Sequence, residues 1–164
     1  MDLGYQTLKQ RQRSERETHG EDMALRVHRA LSWLHRAEQC EDMDGRFIFL
    51  WIAFNAAYAN ELGTQEKRSE QALFGKFLKK ILSLDSGRVL YTLLWKEFSG
   101  PVRVLLENRY VFQHFWDFHN GKVSEEYWQQ EFRRANDAAR KALARDDALT
   151  VLHIVLARIY TLRN

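Results

Sequence analysis

The chain has 164 residues, of which 45% are hydrophobic and 29% are charged, and it contains one proline and eight glycines. This balance is typical of one packed domain. It argues against a disordered chain and against an all-β fold, which needs a turn residue about every ten positions. The net charge of +3 permits contact with a polyanion but excludes a strongly basic, histone-like protein.

Localisation and cofactors are constrained by what the sequence lacks. The single cysteine, Cys40, excludes a disulfide within the chain, and the first residues lack the basic and apolar regions of a secretory signal. The longest apolar run, residues 47–59, is shorter than the roughly 20 residues of a membrane span. The sequence therefore predicts a cytoplasmic protein outside the membrane. No cofactor or metal motif is present, and His28 and His35 are interpreted as ordinary helix-face residues.

The hydrophobic spacing predicts an all-α helical bundle. Residues 1–21 are polar without a sustained apolar stripe and are predicted to form a flexible arm. The remainder, residues 22–164, is predicted to be one domain of about six or seven helices. Val27 and Leu34 mark the inward face of the first, and the second, near residues 46–62, is apolar nearly all round, as expected of a central helix.

Turn and cap residues divide the second half of the chain. Residues 99–101, Ser-Gly-Pro, are predicted to begin a long helix that continues to residue 120. Ser124 is predicted to begin the next helix, and Asp146 and Asp147 to cap the last one. Continuing the apolar spacing of that last helix places Arg163 on its inward face.

Polar residues on two of these helices are candidates for function. Asn55 lies inside the apolar second helix, where an unsatisfied buried amide costs on the order of a few kcal/mol, so we expect it to have hydrogen-bond partners. Its predicted role is to fix the helix register, and the alternative is to orient a catalytic group. The helix after Ser124 carries basic residues that are predicted to bind RNA phosphates or, alternatively, are simply solvated. These are Arg133, Arg134, Arg140, Lys141 and Arg145.

Two segments carry a family resemblance. Residues 49–58 read Phe-Leu-Trp-Ile-Ala-Phe-Asn-Ala-Ala-Tyr, and residues 158–164 read Arg-Ile-Tyr-Thr-Leu-Arg-Asn. They resemble the central helix and the motif helix of HEPN proteins, small helical proteins that bind or cut RNA, and in particular the bacterial Apea-like group. With the all-helical plan, the similarity spans about residues 22–164. The family motif is an arginine, commonly followed by asparagine, with a histidine four to six residues after it.

Two pairs of residues compete for the motif positions. Arg163 and Asn164 match its opening, and its histidine would lie beyond the last residue, so we expect the natural chain to continue and take these two as the catalytic positions. Arg109 and His114 form a complete string of arginine, four residues and histidine, and are the alternative pair. Residues five apart on a regular helix point about 140° from one another, so the alternative requires a break in the helix.

The resemblance implies a function and partners. Two protomers would pair their motifs in a homodimer that cuts RNA without a metal or cofactor and leaves a 2′,3′-cyclic phosphate. The implied setting is a toxin-antitoxin or phage-defence system, in which some relatives are neutralised by a nucleotidyltransferase that modifies a tyrosine. Tyr110 and Tyr160 are candidates for that tyrosine, although packed aromatic residues are the simpler interpretation. The alternative function is a catalytically inactive HEPN module for protein interaction or dimerisation.

Overall fold

The computed structural model describes residues 3–58 and 70–163, and within these ranges the chain is all-α, as predicted. The described ranges contain nine α-helices and no strand. None of these helices is both long enough and apolar enough to cross a bilayer. Contacts divide the chain into two compact units, Met1–Ser69 and Glu70–Asn164. The single domain expected over residues 22–164 stays a prediction.

The first unit consists of two long helices and a shorter one before them. These are α1 (Tyr5–Glu15), α2 (Glu21–Glu38) and α3 (Met43–Tyr58). Helices α2 and α3 pack along each other. Leu31 of α2 and Trp51 of α3 are buried, and Trp33 stacks on Phe49 with 5.6 Å between ring centroids. The amphipathic spacing of α2 and the nearly continuous apolar sequence of α3 therefore both correspond to helices of this unit.

Helix α1 lies within residues 1–21, the segment that the sequence predicted to be a flexible polar arm. The Tyr5 ring stacks on the His35 imidazole with 4.1 Å between centroids, and Lys9 Nζ lies 3.2 Å from His28 Nδ1. The helix is polar, as predicted, and has no buried residue. It packs on α2 through rings and polar ends, so no apolar stripe revealed it. His28 and His35 share the face of α2 that receives it.

The second unit contains the other six α-helices and two short irregular helices. Its elements are α4 (Glu70–Leu84), α5 (Val89–Thr92), a π-helix (Leu93–Glu97), α6 (Ser99–Glu107), a 3₁₀ turn (Arg109–Val111), α7 (Gln113–His119), α8 (Glu125–Ala144) and α9 (Ala148–Arg163). Helix α9 packs against α4, α6 and α8, and Val151, Leu152 and Val155 on it are buried. The core of this unit is therefore built around α9.

Of the predicted caps of the last two helices, Ser124 and Asp147 are confirmed, whereas Asp146 has a positive φ of 55° and its carboxylate accepts the Tyr91 hydroxyl instead. The Ser124 hydroxyl accepts the backbone N–H of Tyr127 at 3.2 Å, at the start of α8. The Asp147 carboxylate accepts the hydroxyl of Thr150 at 2.6 Å and its backbone N–H at 3.1 Å, at the start of α9. These hydrogen bonds, chiefly the one from the hydroxyl, lower the pKa of Asp147. Each cap satisfies a backbone N–H that the helix itself leaves unpaired.

The long helix predicted from residue 99 to residue 120 is wrong, because the chain breaks in its middle. Helix α6 ends at Glu107, and Asn108 is extended, with its side chain accepting the backbone N–H of Tyr110 at 2.9 Å. Phe112 is extended as well, and α7 begins directly after it. A side chain that bonds to the neighbouring backbone offers an alternative to the helical ladder, which is how Asn108 ends α6.

Candidate functional site

The break between α6 and α7 separates Arg109 from His114 and meets the geometric condition for this alternative motif pair. Arg109 lies in the 3₁₀ turn, exposed, and donates a hydrogen bond from Nη2 to the Tyr110 hydroxyl at 3.0 Å. Its guanidinium carbon is 5.6 Å from the centre of the Phe115 ring. His114 lies in the first turn of α7. The two side chains belong to one short segment, and no hydrogen bond joins them.

His114 is held by a carboxylate. Its Nδ1 lies 3.2 Å from Oδ2 of Asp117, and its ring meets the rings of Phe112 and Tyr127 edge to face. The Gln113 amide donates to the other oxygen of Asp117 at 3.2 Å. This bond, followed by the bond with His114, lowers the pKa of the Asp117 carboxyl against the opposing effect of burial. An ionised carboxylate at Nδ1 fixes the proton there and leaves Nε2 of the neutral ring able to accept one.

A groove of about 520 Å³ runs beside His114 along α8. It is lined by Phe112, His114, Glu131, Arg134, Ala135, Asp137, Ala138 and Lys141. Arg134 pairs with Glu131 at 2.6 Å, whereas Lys141 makes no ion pair with any described residue. The groove therefore combines an oriented histidine with two cations, and two carboxylates partly compensate their charge.

The five basic residues predicted to bind RNA are all exposed. Four of them divide between two faces of α8, and Arg145 follows directly after the last residue of that helix. Arg134 and Lys141 line the groove, and Arg133 and Arg140 share a face about 100° away around the helix. Arg140 lies 3.7 Å from a carboxylate oxygen of Glu107. They do not form one continuous phosphate-binding surface.

A pocket of about 420 Å³ lies on the Arg140 side of α8. It is bounded by the π-helix, α6 and α8, and its lining residues are Leu94, Trp95, Ser99, Arg103, Leu106, Glu107, Asn136, Ala139, Arg140, Leu143 and Ala144. Arg103 is exposed and makes no ion pair within the described part of the chain. The pocket thus has apolar walls and a few polar groups, the usual composition of a small-molecule site.

Arg158 of α9 is the most unusual charged residue in the second unit. It is 3% exposed, and its Nη2 donates to Oδ1 of Asn136 at 3.2 Å. Its guanidinium carbon lies 4.4 Å from the centre of the Phe112 ring and 5.3 Å from that of Phe132. No carboxylate in the described ranges pairs with it, and its Nη1 is buried without a hydrogen-bond partner. Burial lowers its pKa to about 10.

Sequence reasoning missed Arg158, although a signal was present. It is the only Asp, Glu, Lys or Arg between Asp147 and Arg163, in a segment that is otherwise mostly apolar. Such a residue must either reach solvent or be buried at the cost of its hydration. The buried face of α9 consists of Val151, Leu152, Val155, Arg158 and Thr161, whereas Tyr160 is 38% exposed.

The terminal motif positions stay a prediction. Arg163 is the last residue of α9, half-buried, and its guanidinium carbon lies 4.4 Å from the centre of the Tyr160 ring. Asn164 lies outside the described residues. Of the two candidate tyrosines, Tyr110 is 54% exposed and contacts Arg109, whereas Tyr160 contacts Arg163.

Asn55 lies in α3, as expected, among the apolar side chains of the first unit. Its residue is half-buried, and its carbonyl oxygen Oδ1 is fully buried without a hydrogen-bond partner among the described residues. The expected partner for this atom is therefore not found in the described ranges. Its predicted role in fixing the register or orienting a catalytic group stays a prediction.

No known protein family, curated protein or solved structure is significantly similar to this chain. The resemblance to HEPN proteins therefore rests on the sequence segments alone, and function has to be argued from the sites themselves. Within residues 3–58 and 70–163, no three His, Cys, Asp or Glu side chains come together as a metal-binding group.

Proposed function

We propose that the protein is a HEPN-like RNA-binding protein and metal-independent endoribonuclease, with Arg109 and His114 as its cleavage pair. The observation that carries the proposal is the hydrogen bond between His114 and Asp117, at the edge of a groove that contains Arg134 and Lys141. A histidine oriented by a carboxylate beside cations has the groups needed for phosphodiester cleavage.

The chemistry follows from the state of the imidazole. The Nδ1–H of His114 donates a hydrogen bond to the Asp117 carboxylate. The unprotonated Nε2 then accepts the proton of a ribose 2′-hydroxyl. The 2′-oxygen then attacks the adjacent phosphorus and the bond to the 5′-oxygen breaks. The 5′-oxygen takes a proton from water and leaves as a 5′-hydroxyl, and a 2′,3′-cyclic phosphate results. The planar guanidinium of Arg109 stabilises the negative charge that builds on the phosphate oxygens.

RNA would be held in the groove along α8. Lys141 has no ion pair with a described residue and provides the simplest contact for a backbone phosphate, and Arg134 provides a second by exchanging Glu131 for phosphate. Phe112 offers an aromatic face for an unpaired base. Such a protein would act in the cytoplasm, in a toxin-antitoxin or phage-defence system.

The proposed partners are a second copy of the chain and an antitoxin. A homodimer would bring two Arg109–His114 segments together, as the family resemblance implies. A nucleotidyltransferase-type antitoxin would modify Tyr110, because its exposed hydroxyl accepts the hydrogen bond of Arg109. Modification there would remove that contact and place a phosphate beside the guanidinium, which would then be unable to serve the substrate.

The test is RNA cleavage in the presence of a chelator by the wild-type chain and by His114→Ala, Arg109→Ala and Arg163→Ala. We expect the first two variants to lose about 100-fold or more of the cleavage rate and the third to keep it. His19→Ala, an exposed histidine of the first unit, is the matched control. Loss of cleavage in Arg163→Ala alone would mean that the catalytic site is the terminal motif, Arg163 and Asn164.

The alternative is a catalytically inactive module for protein interaction or dimerisation, which a patch beside the break favours. Tyr110 is 54% exposed and Trp116 is 43% exposed, and Trp116 Nε1 donates to the Tyr110 carbonyl at 2.8 Å. Exposed aromatic side chains of this kind are enriched at protein interfaces. No cleavage by any form, together with loss of the dimer in Trp116→Ala, would establish this alternative.

A further inference from the structure

Arg158 leaves an uncompensated positive charge inside the second unit. Buried charges are normally paired, and an exposed arginine such as Arg134 has its carboxylate at 2.6 Å. Arg158 instead has two aromatic rings and one amide around it, and its Nη1 has no hydrogen-bond partner among the described residues. Because little water surrounds it, its charge is weakly screened and attracts an anion over a longer distance than a surface arginine does.

The hydrogen bond of Arg158 leads to the pocket. Asn136 receives it and also lines the pocket on the Arg140 side of α8. A guanidinium has only donors, so Asn136 must turn its carbonyl oxygen towards Arg158. The amide nitrogen of Asn136 then has two N–H groups left, and it makes no hydrogen bond within the described part of the chain. Arg158 thus fixes Asn136 as a donor.

The other polar groups of the pocket favour an anion as well. Arg103 and Arg140 are cations, and Ser99 has a hydroxyl donor, whereas Glu107 is the only carboxylate among the lining residues. Arg140 meets Glu107 at 3.7 Å and Asp137, outside the pocket lining, at 3.9 Å; all three side chains are about two-thirds exposed, so both ion pairs are readily separated. Arg158 adds a third positive charge behind Asn136.

We propose that this pocket binds a phosphorylated small molecule of nucleoside-monophosphate size, with the phosphate on Arg103, Asn136 and Arg140. The pocket measures about 420 Å³, within the range of small-molecule sites. Leu94, Trp95 and the other apolar lining residues form walls that suit a nucleobase. This site is separate from the groove beside His114 and does not depend on the proposed ribonuclease activity.

A phosphate could come from a free nucleotide or from an RNA backbone. A concave pocket with apolar walls favours the free nucleotide, because a continuous RNA strand needs a track of successive cations. The cations of the groove, Arg134 and Lys141, lie on another face of α8. The binding experiment therefore includes both kinds of ligand.

The experiment is calorimetric titration of the full chain with adenosine 5′-monophosphate, adenosine, inorganic phosphate and a short single-stranded RNA. We expect the nucleotide to bind at least 10-fold more tightly than adenosine or phosphate alone. Arg103→Ala and Arg140→Ala should each weaken its binding several-fold. Arg133→Ala is the matched control, because Arg133 is an exposed arginine of α8 that does not line the pocket.

The sharpest variant is Asn136→Asp. The new carboxylate would pair with Arg158 and keep or raise the unfolding temperature, but it would remove the donors and repel phosphate, so nucleotide binding should fall at least 10-fold. If Asn136 only supports the fold, this variant will bind the nucleotide as the wild type does, which would overturn the proposal.

A second variant removes the charge while filling the space. Arg158→Met, checked for folding by its thermal unfolding, should also weaken nucleotide binding at least 10-fold. No measurable nucleotide binding by the wild-type chain would overturn the proposal. Binding of the RNA alone, lost in Asn136→Asp, would overturn the assignment to a small molecule and give the pocket to the RNA backbone.

Discussion

The two sides of α8 use arginine in opposite ways. In the groove, Arg134 is exposed and paired with Glu131, and an ion pair of this kind contributes between about 0 and 1 kcal/mol. Arg158, which bonds to Asn136 of the pocket, is buried without a carboxylate among the described residues, an arrangement that costs on the order of several kcal/mol for each ion. Exposed arginines therefore show where a polyanion can bind. A buried arginine that lowers the stability of the fold indicates a site for a specific anionic ligand.

The largest effect should come from removing the buried side chain altogether. We expect Arg158→Ala to lower the free energy of unfolding by about 2–4 kcal/mol, because it leaves a cavity between Phe112 and Phe132. Arg158→Met fills that space and removes the desolvated charge, so it should lose about 1 kcal/mol or less, or gain stability.

Urea unfolding measures both values, and Arg134→Ala, on the exposed side, should stay within about 0.5 kcal/mol of the wild type. An equal loss in the methionine and alanine variants would show that the charge itself supports the fold. The contrast between the two sides of α8 would then carry no functional meaning.

The next effect concerns the groove alone. Asp117→Asn should lower the rate of RNA cleavage about 10- to 100-fold, because the amide no longer holds the Nδ1 proton of His114 in place. It should leave nucleotide binding in the pocket unchanged. Single-turnover cleavage and calorimetry on the same protein test both statements, and a parallel loss of the two activities would show that the sites are one.

A smaller effect should distinguish the cations of α8 from one another. Lys141→Ala should weaken RNA binding a few-fold and reduce the slope of log affinity against log salt by about 0.7, the value for one phosphate contact on a single strand. Arg133→Ala, which removes an equal charge outside the groove, should leave the slope nearly unchanged. Equal slopes for both variants would mean that α8 attracts RNA through its total positive charge and not through a contact between Lys141 and one phosphate.

The smallest effect is a pH dependence. The pKa of Asp117 is lowered from its usual 3.8, first by the hydrogen bond from Gln113, so the folded state binds this proton less readily than the unfolded state. The stability that Asp117 contributes is therefore present above about pH 4 and is lost as the pH falls through the lower folded value. Thermal unfolding should show the wild type and Asp117→Asn converging below that pH, and a constant difference would contradict this.

The sequence correctly predicted the helices that have an apolar stripe and the helix starts that have a capping side chain. Helices α2 and α8 and the Ser124 and Asp147 caps follow from local rules, because spacing and short side-chain hydrogen bonds decide them. The break at Asn108 was missed because no glycine or proline marks it, and α1 was missed because its contacts are polar.

The candidate sites were less predictable than the helices. Arg109 and His114 were identified from their spacing in the sequence. The hydrogen bond between His114 and Asp117 could not be predicted, because it depends on where α7 begins. Arg158 could not be assigned inward because α9 is apolar on most sides, so periodicity gives it no preferred direction. The pocket, which draws on the π-helix, α6 and α8, depends on tertiary packing alone.

The π-helix Leu93–Glu97 makes the shape of the pocket sensitive to the deletion of one residue. Its turn is closed by the Phe98 N–H on the Leu93 carbonyl at 2.8 Å, one residue further along than in an α-helix. Deleting a residue from this turn would restore a regular helix and rotate the preceding side chains by about 100° relative to α6. Trp95, whose Nε1 donates to the Leu143 carbonyl at 3.1 Å, would leave the wall of the pocket. Homologues that lack this extra residue should therefore keep the fold and have a differently shaped pocket.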